Sequence, residues 1–447
     1  MATESTTPLS ALLRLLASSV ESLEAAYAKE GVPFPSLDAP NAASPLAIDP
    51  EASHLARVAV AAAYQVIATV RDPIETVQHT AASYYASAAL GVSVDLHVAN
   101  ILKEGGDEGV HIDEIAAQAG VPGDGLARVL RYLATRHIFR EVKPDTFANN
   151  RISSTLIKKH LLAEIKADPE VEYEGSPAAA TVGHHADEGM KGATALSSWI
   201  RTGHTTWPAP FNQGNGTDLD LFKWFEVEPY RGRRFHVAMT GSMGRYPDEI
   251  FTNAFDWAAL PHGAQVVDVG ASVGTVTHTL LRTFPNLRGV VQDLEKCIAQ
   301  DAPKYWDENM PDALQDGRPV QGAAVYFLRN VLHDWPDAAA ARILSILRGA
   351  SAPESKLVIF DAIMPYACAY DGPFADAVAP VKAPWPLLAN MGMALGGFVT
   401  WVDLHMLNAF NGKERTVGEF IELGRKSGWK LESLRPGMMA ALVFSAA

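Results

Sequence analysis

The sequence predicts an α/β protein in which a doubly wound, mainly parallel sheet follows an all-α region that contains a winged helix. From about residue 255, strands rich in Val and Ile alternate with helical segments, as in a parallel sheet covered on both faces. Residues 110–142 show the helix, glycine turn, helix and strand of a winged helix. Residues 51–104 are Ala-rich and apolar on most helical faces, which is typical of helices that pack against other helices.

Length and charge limit the number of domains and the classes of partner. The chain has 447 residues, of which 48% are hydrophobic and 20% charged, and this indicates a globular protein with cores of its own. We predict a helical and winged-helix region at 1–150, connecting helices at 151–250 and the α/β domain at 251–447. The net charge of -14 argues against binding to nucleic acid or an anionic membrane, because phosphate recognition needs clustered Lys and Arg.

Cysteine usage and the N-terminal segment bear on the compartment. Cys297 and Cys368 are too few for a disulfide framework or a cysteine-based metal site, and this fits a reducing cytosol. The first apolar stretch is not preceded by a basic segment, so a secretory signal is not predicted. We therefore expect a cytoplasmic protein without a metal site. Residues 383–402 carry no charge, but their Pro and Gly residues favour a buried or pocket-lining segment over a membrane span.

The winged helix has two interpretations. DNA binding would require a basic recognition helix, yet the second helix carries only Arg128 and Arg131 as basic residues and the chain is acidic. A structural or dimerisation role is therefore favoured.

The stretch VVDVGASVG at residues 266–274 predicts a strand and turn that bind a cofactor. Gly270 permits a tight turn, and Gly274 lets the next helix start close to the strand with its first amides free. Asp293 ends the following strand, where a carboxylate can accept hydrogen bonds from both ribose hydroxyls. For the loop taken alone, an ordinary strand, turn and helix without a ligand is the alternative.

Two residues of this stretch select the kind of cofactor. Ser272 stands where a dinucleotide-binding turn prefers glycine, which hinders the approach of a pyrophosphate. Asp268 lies before the turn, where it suits an ammonium group rather than a phosphate. A nucleoside with an amino-acid moiety and no phosphate satisfies both, and this predicts S-adenosylmethionine.

The segment FLRNVLHDWPD at residues 327–337 brings a histidine to the same edge of the sheet. A strand delivers Arg329 and then His333, whose imidazole can act as a general base near working pH. Asp361 ends the next strand, so we expect it beside the histidine, orienting the ring. Glu414 precedes a later helix and can approach the same cleft. Three acid/base groups at successive elements favour catalysis over a packing role.

Together these motifs resemble the small-molecule O-methyltransferases of plants and fungi, the caffeic-acid O-methyltransferase-like family. The resemblance runs from PFPSLDAP through VVDVGASVG, GVVQDL, FLRNVLHDWPD and VIFDAIMP to NGKERTVGEF. It implies a Rossmann-like class I methyltransferase domain after a winged-helix dimerisation domain, a homodimer, and S-adenosylmethionine as cofactor. It also implies that His333 is the base, with Asp361 and Glu414 flanking it.

The resemblance further implies contacts with the cofactor and marks departures from the family pattern. Asp293 would hold the ribose, Arg329 would stand near the cofactor, and Asp312 matches an acid near the adenine. Ala271 stands where the family mostly has glycine, and Asp361 replaces what is often glutamate.

The connection at residues 365–405 is longer and more apolar than this family usually shows. Large apolar side chains there and nearby are interpreted as a substrate pocket or lid, formed by Trp335, Trp401, Met406 and Phe410. An expanded dimer core is the alternative.

Two functions from different reaction classes remain open. The first is methyl transfer to a hydroxylated, largely apolar secondary metabolite, which the retained His333 favours. The second is a pericyclic or dehydration reaction without methyl transfer, which Ala271 and the apolar connection favour because such chemistry needs mainly a shaped pocket. A transcription factor built on the winged helix is the third and weakest reading.

Overall fold

The computed structural model describes residues 7–40, 49–202, 206–243, 247–295, 297–310, 320–437 and 439–447. The chain forms two compact units, Met1–Arg245 with Trp385–Leu387, and Tyr246–Pro384 with Leu388–Ala447. Of the connecting region predicted at 151–250, residues 151–245 belong to the first unit.

The first unit is mainly helical. Its α-helices are α1 Pro8–Lys29, α2 Pro50–Val70, α3 Pro73–Ala81, α4 Tyr84–Asp95, α5 Val98–Gly105, α6 Ile112–Ala119, α7 Gly123–Ala134, α8 Leu162–Ala167, α9 Pro177–His184, α10 Met190–Thr194, α11 Leu196–Thr202, α12 Pro210–Asn215, α13 Leu221–Val227 and α14 Pro229–Met243. Its strands are β1 Val110–His111, β2 Arg140–Lys143 and β3 Thr146–Ala148. Thr7 and Asp49 cap α1 and α2 through side-chain oxygens, and each is followed by a proline, which fits the first turn of a helix.

The winged helix lies where the sequence places it. Helix α6 is the first helix of the predicted pattern and ends at the glycine turn, Gly120, whose φ of +72° is the left-handed conformation that glycine adopts easily. Strands β1, β3 and β2 form a three-stranded antiparallel sheet beside α6 and α7. Ile115, Leu130 and Phe147 are fully buried in the common core. The apolar core shared by these elements is sufficient to explain how this segment folds, and a DNA-binding role is not needed to account for it.

The second unit contains α15 Glu249–Thr252, α16 Thr275–Thr283, α17 Ala302–Asn309, α18 Asp337–Ala350, α19 Ala375–Val378, α20 Gly396–Phe410 and α21 Val417–Lys426. Its strands are β4 Gln265–Val269, β5 Arg288–Gln292, β6 Val325–Arg329, β7 Lys356–Asp361, β8 Trp429–Arg435 and β9 Ala440–Ala446. They form one sheet in the order β5-β4-β6-β7-β9-β8. Strands β5, β4, β6 and β7 are parallel, which confirms the doubly wound sheet.

The C-terminal hairpin forms an antiparallel edge of the sheet. Strand β9 pairs antiparallel with β7, and β8 pairs antiparallel with β9 and forms the edge of the sheet. The side chains explain this order. Residues 440–444 of β9 are all apolar and buried, as an inner strand requires, whereas β8 alternates exposed charged residues with buried ones.

Three apolar segments bear on membrane association. Residues 383–402 do not form a single helix, because α20 begins only at Gly396. By length and composition alone, α2 could cross a membrane, and so could the bent pair Pro73–Asp95 and Val98–Glu108. Helices that pack against other protein surfaces meet the same criterion, so this is weak evidence for a membrane span.

Candidate active site

The candidate site lies at the carboxyl ends of β4, β6 and β7, where the strand order changes direction and doubly wound sheets bind ligands. The loop after β4 requires its two glycines. Gly270 and Gly274 have φ of +72° and +89°, which favour glycine. A Cβ on Gly270 would lie 2.6 Å from Val331 Cγ2, and one on Gly274 would lie 2.6 Å from Val291 Cγ2. The loop therefore packs directly against the segments after β6 and in β5.

The amides of this loop donate hydrogen bonds within the chain. The N–H groups of Gly270 and Ala271 donate to the Gln292 carbonyl, at 2.8 Å and 3.2 Å. The Ser272 N–H donates to Asp293 Oδ2 at 2.7 Å. A pyrophosphate is normally held by loop amides that point at the ligand, so this arrangement suits a cofactor without phosphate.

Asp293 is both a loop anchor and the expected ribose ligand. Its Oδ1 accepts a hydrogen bond from the Leu294 N–H at 2.7 Å, and its Oδ2 holds Ser272 in a left-handed conformation with φ of +53°. A carboxylate oxygen has two acceptor positions, so each oxygen retains one for a ligand hydroxyl. These two free acceptor positions fit the two hydroxyls of a ribose.

Asp268 and Arg329 lie in the sheet, at strand positions below the loop. Asp268 is 3% exposed, and its Oδ2 accepts a hydrogen bond from Thr277 Oγ1 at 2.8 Å. Burial raises the pKa of Asp268 to about 6, against the attraction of nearby Arg329. The Arg329 guanidinium lies 5.0 Å from the centre of the Phe251 ring. Their contacts with a cofactor stay predictions, and Asp312 lies outside the described residues.

Trp306, which the sequence analysis did not single out, supports the same loop. Its indole Nε1–H donates to the Val273 carbonyl at 2.9 Å, and its ring packs edge-on against Tyr305 and His278. A Cβ on Gly274 would also lie 3.1 Å from the Trp306 ring. Helix α17 thus braces the end of the loop at Val273 and Gly274. The adjacent aromatic pair after β5 was the signal available in the sequence.

His333 lies in a short 3₁₀ turn, Leu332–Asp334, that follows β6. Its Nδ1 is 2.7 Å from Glu414 Oε1, and the glutamate is 4% exposed. An ionised Glu414 accepts only, so we assign the proton to Nδ1, which leaves Nε2 as the proton acceptor when the ring is neutral. Asp334 Oδ1 lies 3.5 Å from that Nε2. His333 and Glu414 together have the geometry of a base held by a carboxylate.

The protonation of the His333 imidazole is set by its burial and by the negative charge of nearby carboxylates. Burial alone would lower the pKa of His333, because it favours the neutral ring. The hydrogen bond with Glu414 and the surrounding carboxylates outweigh burial and raise the pKa to about 9. Burial also raises the pKa of Asp334 to about 6 and that of Asp361 to about 7.

The structure gives the orienting hydrogen bond to Glu414 rather than to Asp361. The Asp361 Oδ1 accepts from the Asn330 N–H at 2.8 Å, and its Oδ2 is buried without a hydrogen-bond partner among the described residues. Asp361 ends β7, so it faces the backbone at the end of β6 and reaches His333 only through its charge. The expectation that Asp361 orients the ring therefore differs from this geometry.

The four residues interpreted as a substrate pocket occupy different environments. Met406 is 8% exposed and Phe410 is half-buried, both on α20, whereas Trp335 and Trp401 are each 45% exposed. A cavity of about 440 Å³ lies beside α18 and α21. It is lined by Asp337, Ala338, Ala341, Tyr366, Thr416, Gly418, Glu419, Glu422, Leu423 and Lys426, and by none of the predicted cofactor or substrate residues. The substrate pocket stays a prediction.

Comparison with known proteins identifies the family. Residues 194–374 match the O-methyltransferase domain, and residues 78–159 match the O-methyltransferase dimerisation domain. An O-methyltransferase of Armillaria gallica is 37% identical over 453 aligned residues, which cover 95% of each chain. The chain therefore belongs to the O-methyltransferase family. This confirms the predicted enzyme class, the fold class, and S-adenosylmethionine as the cofactor that the family uses.

Solved structures share the fold across two kinds of chemistry. The mitomycin 7-O-methyltransferase MmcR is 25% identical with a TM-score of 0.63, and the match covers 83% of this chain and 97% of MmcR. A pericyclic reaction enzyme is 22% identical with a TM-score of 0.62, and the match covers 96% of this chain and 99% of that one. The fold alone therefore does not choose between methyl transfer and pericyclic chemistry.

Proposed function

We propose that this protein methylates a hydroxyl group of a largely apolar secondary metabolite, with His333 as the general base. The observation that carries the proposal is the 2.7 Å contact between His333 Nδ1 and Glu414 Oε1. A buried carboxylate on Nδ1 gives the ring a fixed tautomer and orientation, which a base needs and which a shaped pocket for pericyclic chemistry does not.

The residues of the first loop fit S-adenosylmethionine. When bound, this cofactor supplies an electrophilic methyl group. Asp293 retains acceptor positions for ribose hydroxyls, and the N–H groups of Gly270, Ala271 and Ser272 already donate within the chain, so no phosphate is called for. Gly270 and Gly274 keep side chains out of the space between β4 and its neighbours.

The chain's own part in the reaction is proton removal and positioning. The neutral ring of His333 accepts the hydroxyl proton at Nε2, and the resulting imidazolium is stabilised by Glu414 on the opposite nitrogen. Asp361 and Asp334 add negative potential to the same site. Because the hydroxyl oxygen must meet the methyl group in line, most of the rate gain comes from orientation.

The test is label transfer from S-adenosylmethionine to a panel of phenolic and polyketide-type hydroxyl compounds. We expect transfer by the native enzyme and a loss of about 10²–10⁴-fold in His333→Ala, the usual contribution of a general base. His262→Ala removes an exposed histidine from the same unit and is the matched control. Cyclisation or dehydration of a compound without label transfer would reject methyl transfer and favour the pericyclic alternative.

We also propose that the protein works as a homodimer assembled through its helical region. The dimerisation domain match begins at residue 78, within α3, and α2 and α3 each expose a stripe of apolar side chains at helical spacing just before that point. In α2 the stripe comprises Val60, Tyr64 and Ile67, which are 43%, 50% and 44% exposed. In α3 the stripe comprises Ile74 and Val77, each 69% exposed. A face of this kind on a water-soluble protein marks an interface.

Light scattering after gel filtration tests the homodimer. We expect twice the mass of the 48.1-kDa chain, and a shift to the monomer in Ile74→Asp/Val77→Asp. Glu75→Gln, on the same helix, is a control that leaves the apolar stripe intact. A monomeric native protein, or one that sediments with phosphatidylcholine vesicles instead, would contradict the proposal.

A further inference from the structure

The segment that precedes Glu414 packs against the backbone of the turn that carries His333. The Lys413 N–H donates to the His333 carbonyl at 2.9 Å. Gly412 lies so close that a Cβ would stand 2.0 Å from the same carbonyl oxygen. The residues just before Glu414 are therefore fixed against the backbone of the base, and no side chain fits at position 412.

Arg415 contacts the same turn and the residues just after it through its guanidinium. It is 1% exposed, and its Nη1 and Nη2 donate to the carbonyls of Leu332 and Trp335 at 2.7 Å and 2.8 Å. Its Nε donates to Asp337 Oδ1 at 3.0 Å. The two carbonyls flank His333, so one planar guanidinium spans the whole turn.

We propose that Arg415 is a positioning residue, which holds the turn of His333 so that Nδ1 stays against Glu414. This inference rests on the proposed function, since it assigns the base to His333. A guanidinium presents several donors in a rigid fork, and an ammonium group cannot reproduce three divergent contacts. Without the fork, the Trp335 carbonyl loses the guanidinium donor and the Leu332 carbonyl keeps only the Trp335 N–H, at 3.2 Å, so the turn is no longer held from outside.

The charged groups around the imidazole determine how the test is read. Those that face it are Asp334, Asp361 and Glu414, with Asp403, Lys413 and Arg415 one contact further out. Removing the positive charge at position 415 would favour the imidazolium, while loss of the Glu414 contact would disfavour it. A variant that keeps the charge is therefore required, and Arg415→Lys meets this condition.

The experiment measures the titration of His333 without substrate. The native protein and Arg415→Lys are treated with diethyl pyrocarbonate across a pH series, and modification of the His333 peptide is followed by mass spectrometry. We expect the midpoint to fall by about one pH unit in the variant, because a charge-assisted hydrogen bond is weakened. Arg425→Lys makes the same chemical change in a side chain that is 69% exposed and pairs with Glu422, and it should leave the midpoint unchanged.

A second variant keeps the proposal testable if Arg415→Lys does not fold. Asp337→Asn weakens the outer contact of the guanidinium, at a side chain that is 57% exposed. It should shift the midpoint in the same direction by a smaller amount. The shift should persist at about 1 M salt, where the direct effect of a distant exposed charge is screened.

The outcomes separate this inference from the proposed function. A folded Arg415→Lys with the native midpoint would overturn the positioning role, whether or not methyl transfer is observed. Failure of methyl transfer in the native protein would overturn the proposed function and leave the titration result standing. If both hold, we expect kcat to fall about 10–100-fold in Arg415→Lys, with the KM for S-adenosylmethionine unchanged.

Discussion

The cofactor loop and the base turn follow adjacent strands of one sheet, but they are held in different ways. The loop at residues 270–274 bonds to residues near it in sequence, and its link from Ser272 to Asp293 spans 21 residues. The turn at 332–334 bonds to a distant segment, and the contact from His333 to Glu414 spans 81 residues. The cofactor loop is therefore a local supersecondary unit, whereas the contact between His333 and Glu414 forms only when distant segments have packed together.

This difference separates two kinds of sensitivity. The loop depends on backbone conformations and on close approach, because its glycines lie against Val331 and Val291. The turn depends on a buried carboxylate and a buried guanidinium, whose loss leaves polar groups unsatisfied. Substitutions in the cofactor loop should change the affinity for the cofactor. Substitutions around the turn of His333 should change the pKa and the activity of the base. Three predictions test this division.

The largest effect is expected for Glu414→Gln. The base acts when its ring is neutral, so activity rises with pH through the pKa of His333, which lies near 9 in the native protein. Replacing the carboxylate lowers that pKa, so the rise should move to lower pH while the maximal rate falls about 100-fold. Glu422→Gln, an exposed pair partner of Arg425, is the control. A pH profile of the rate shows both changes, and a profile that keeps its midpoint would contradict the role of Glu414.

A smaller effect is expected for Gly270→Ala. The left-handed φ costs about 1–2 kcal/mol for a residue with a side chain, and the new Cβ would meet Val331 Cγ2 at 2.6 Å. We expect the affinity for S-adenosylmethionine, measured by calorimetry, to fall about tenfold or more. Gly263→Ala has a similar φ of +78° with no atom within 4 Å of the new Cβ, so it separates backbone strain from close approach. Equal losses of affinity in both variants would refute the local packing argument.

The smallest effect is expected for Trp306→Phe. The change removes the indole hydrogen bond to the Val273 carbonyl and keeps most of the ring contact, which costs about 1 kcal/mol. Cofactor affinity should fall by about fivefold, with the pH profile unchanged. Trp257→Phe removes the same type of bond, to the Phe251 carbonyl, from the core of the unit and is the matched control. The division fails if Trp306→Phe alters the midpoint of the pH profile.

The local features were predictable because their causes are local. Periodicity identified α6 and the strands β4 to β7, and the glycines and carboxylates of the first loop indicated a phosphate-free cofactor. The sequence did not indicate which strand of the C-terminal hairpin lies inside the sheet, because that depends on what covers each face. That β9 is the inner strand is evident only from its burial in the assembled sheet.

The sequence by itself determined the fold class, the family and the identity of the candidate base, because these rest on residue types at short spacing. Tertiary structure alone decided that Glu414 rather than Asp361 bonds to His333, and that Arg415 spans the turn. The physical reason is that a hydrogen bond requires an approach of about 3 Å and a direction, and both are set by packing between segments far apart in the chain.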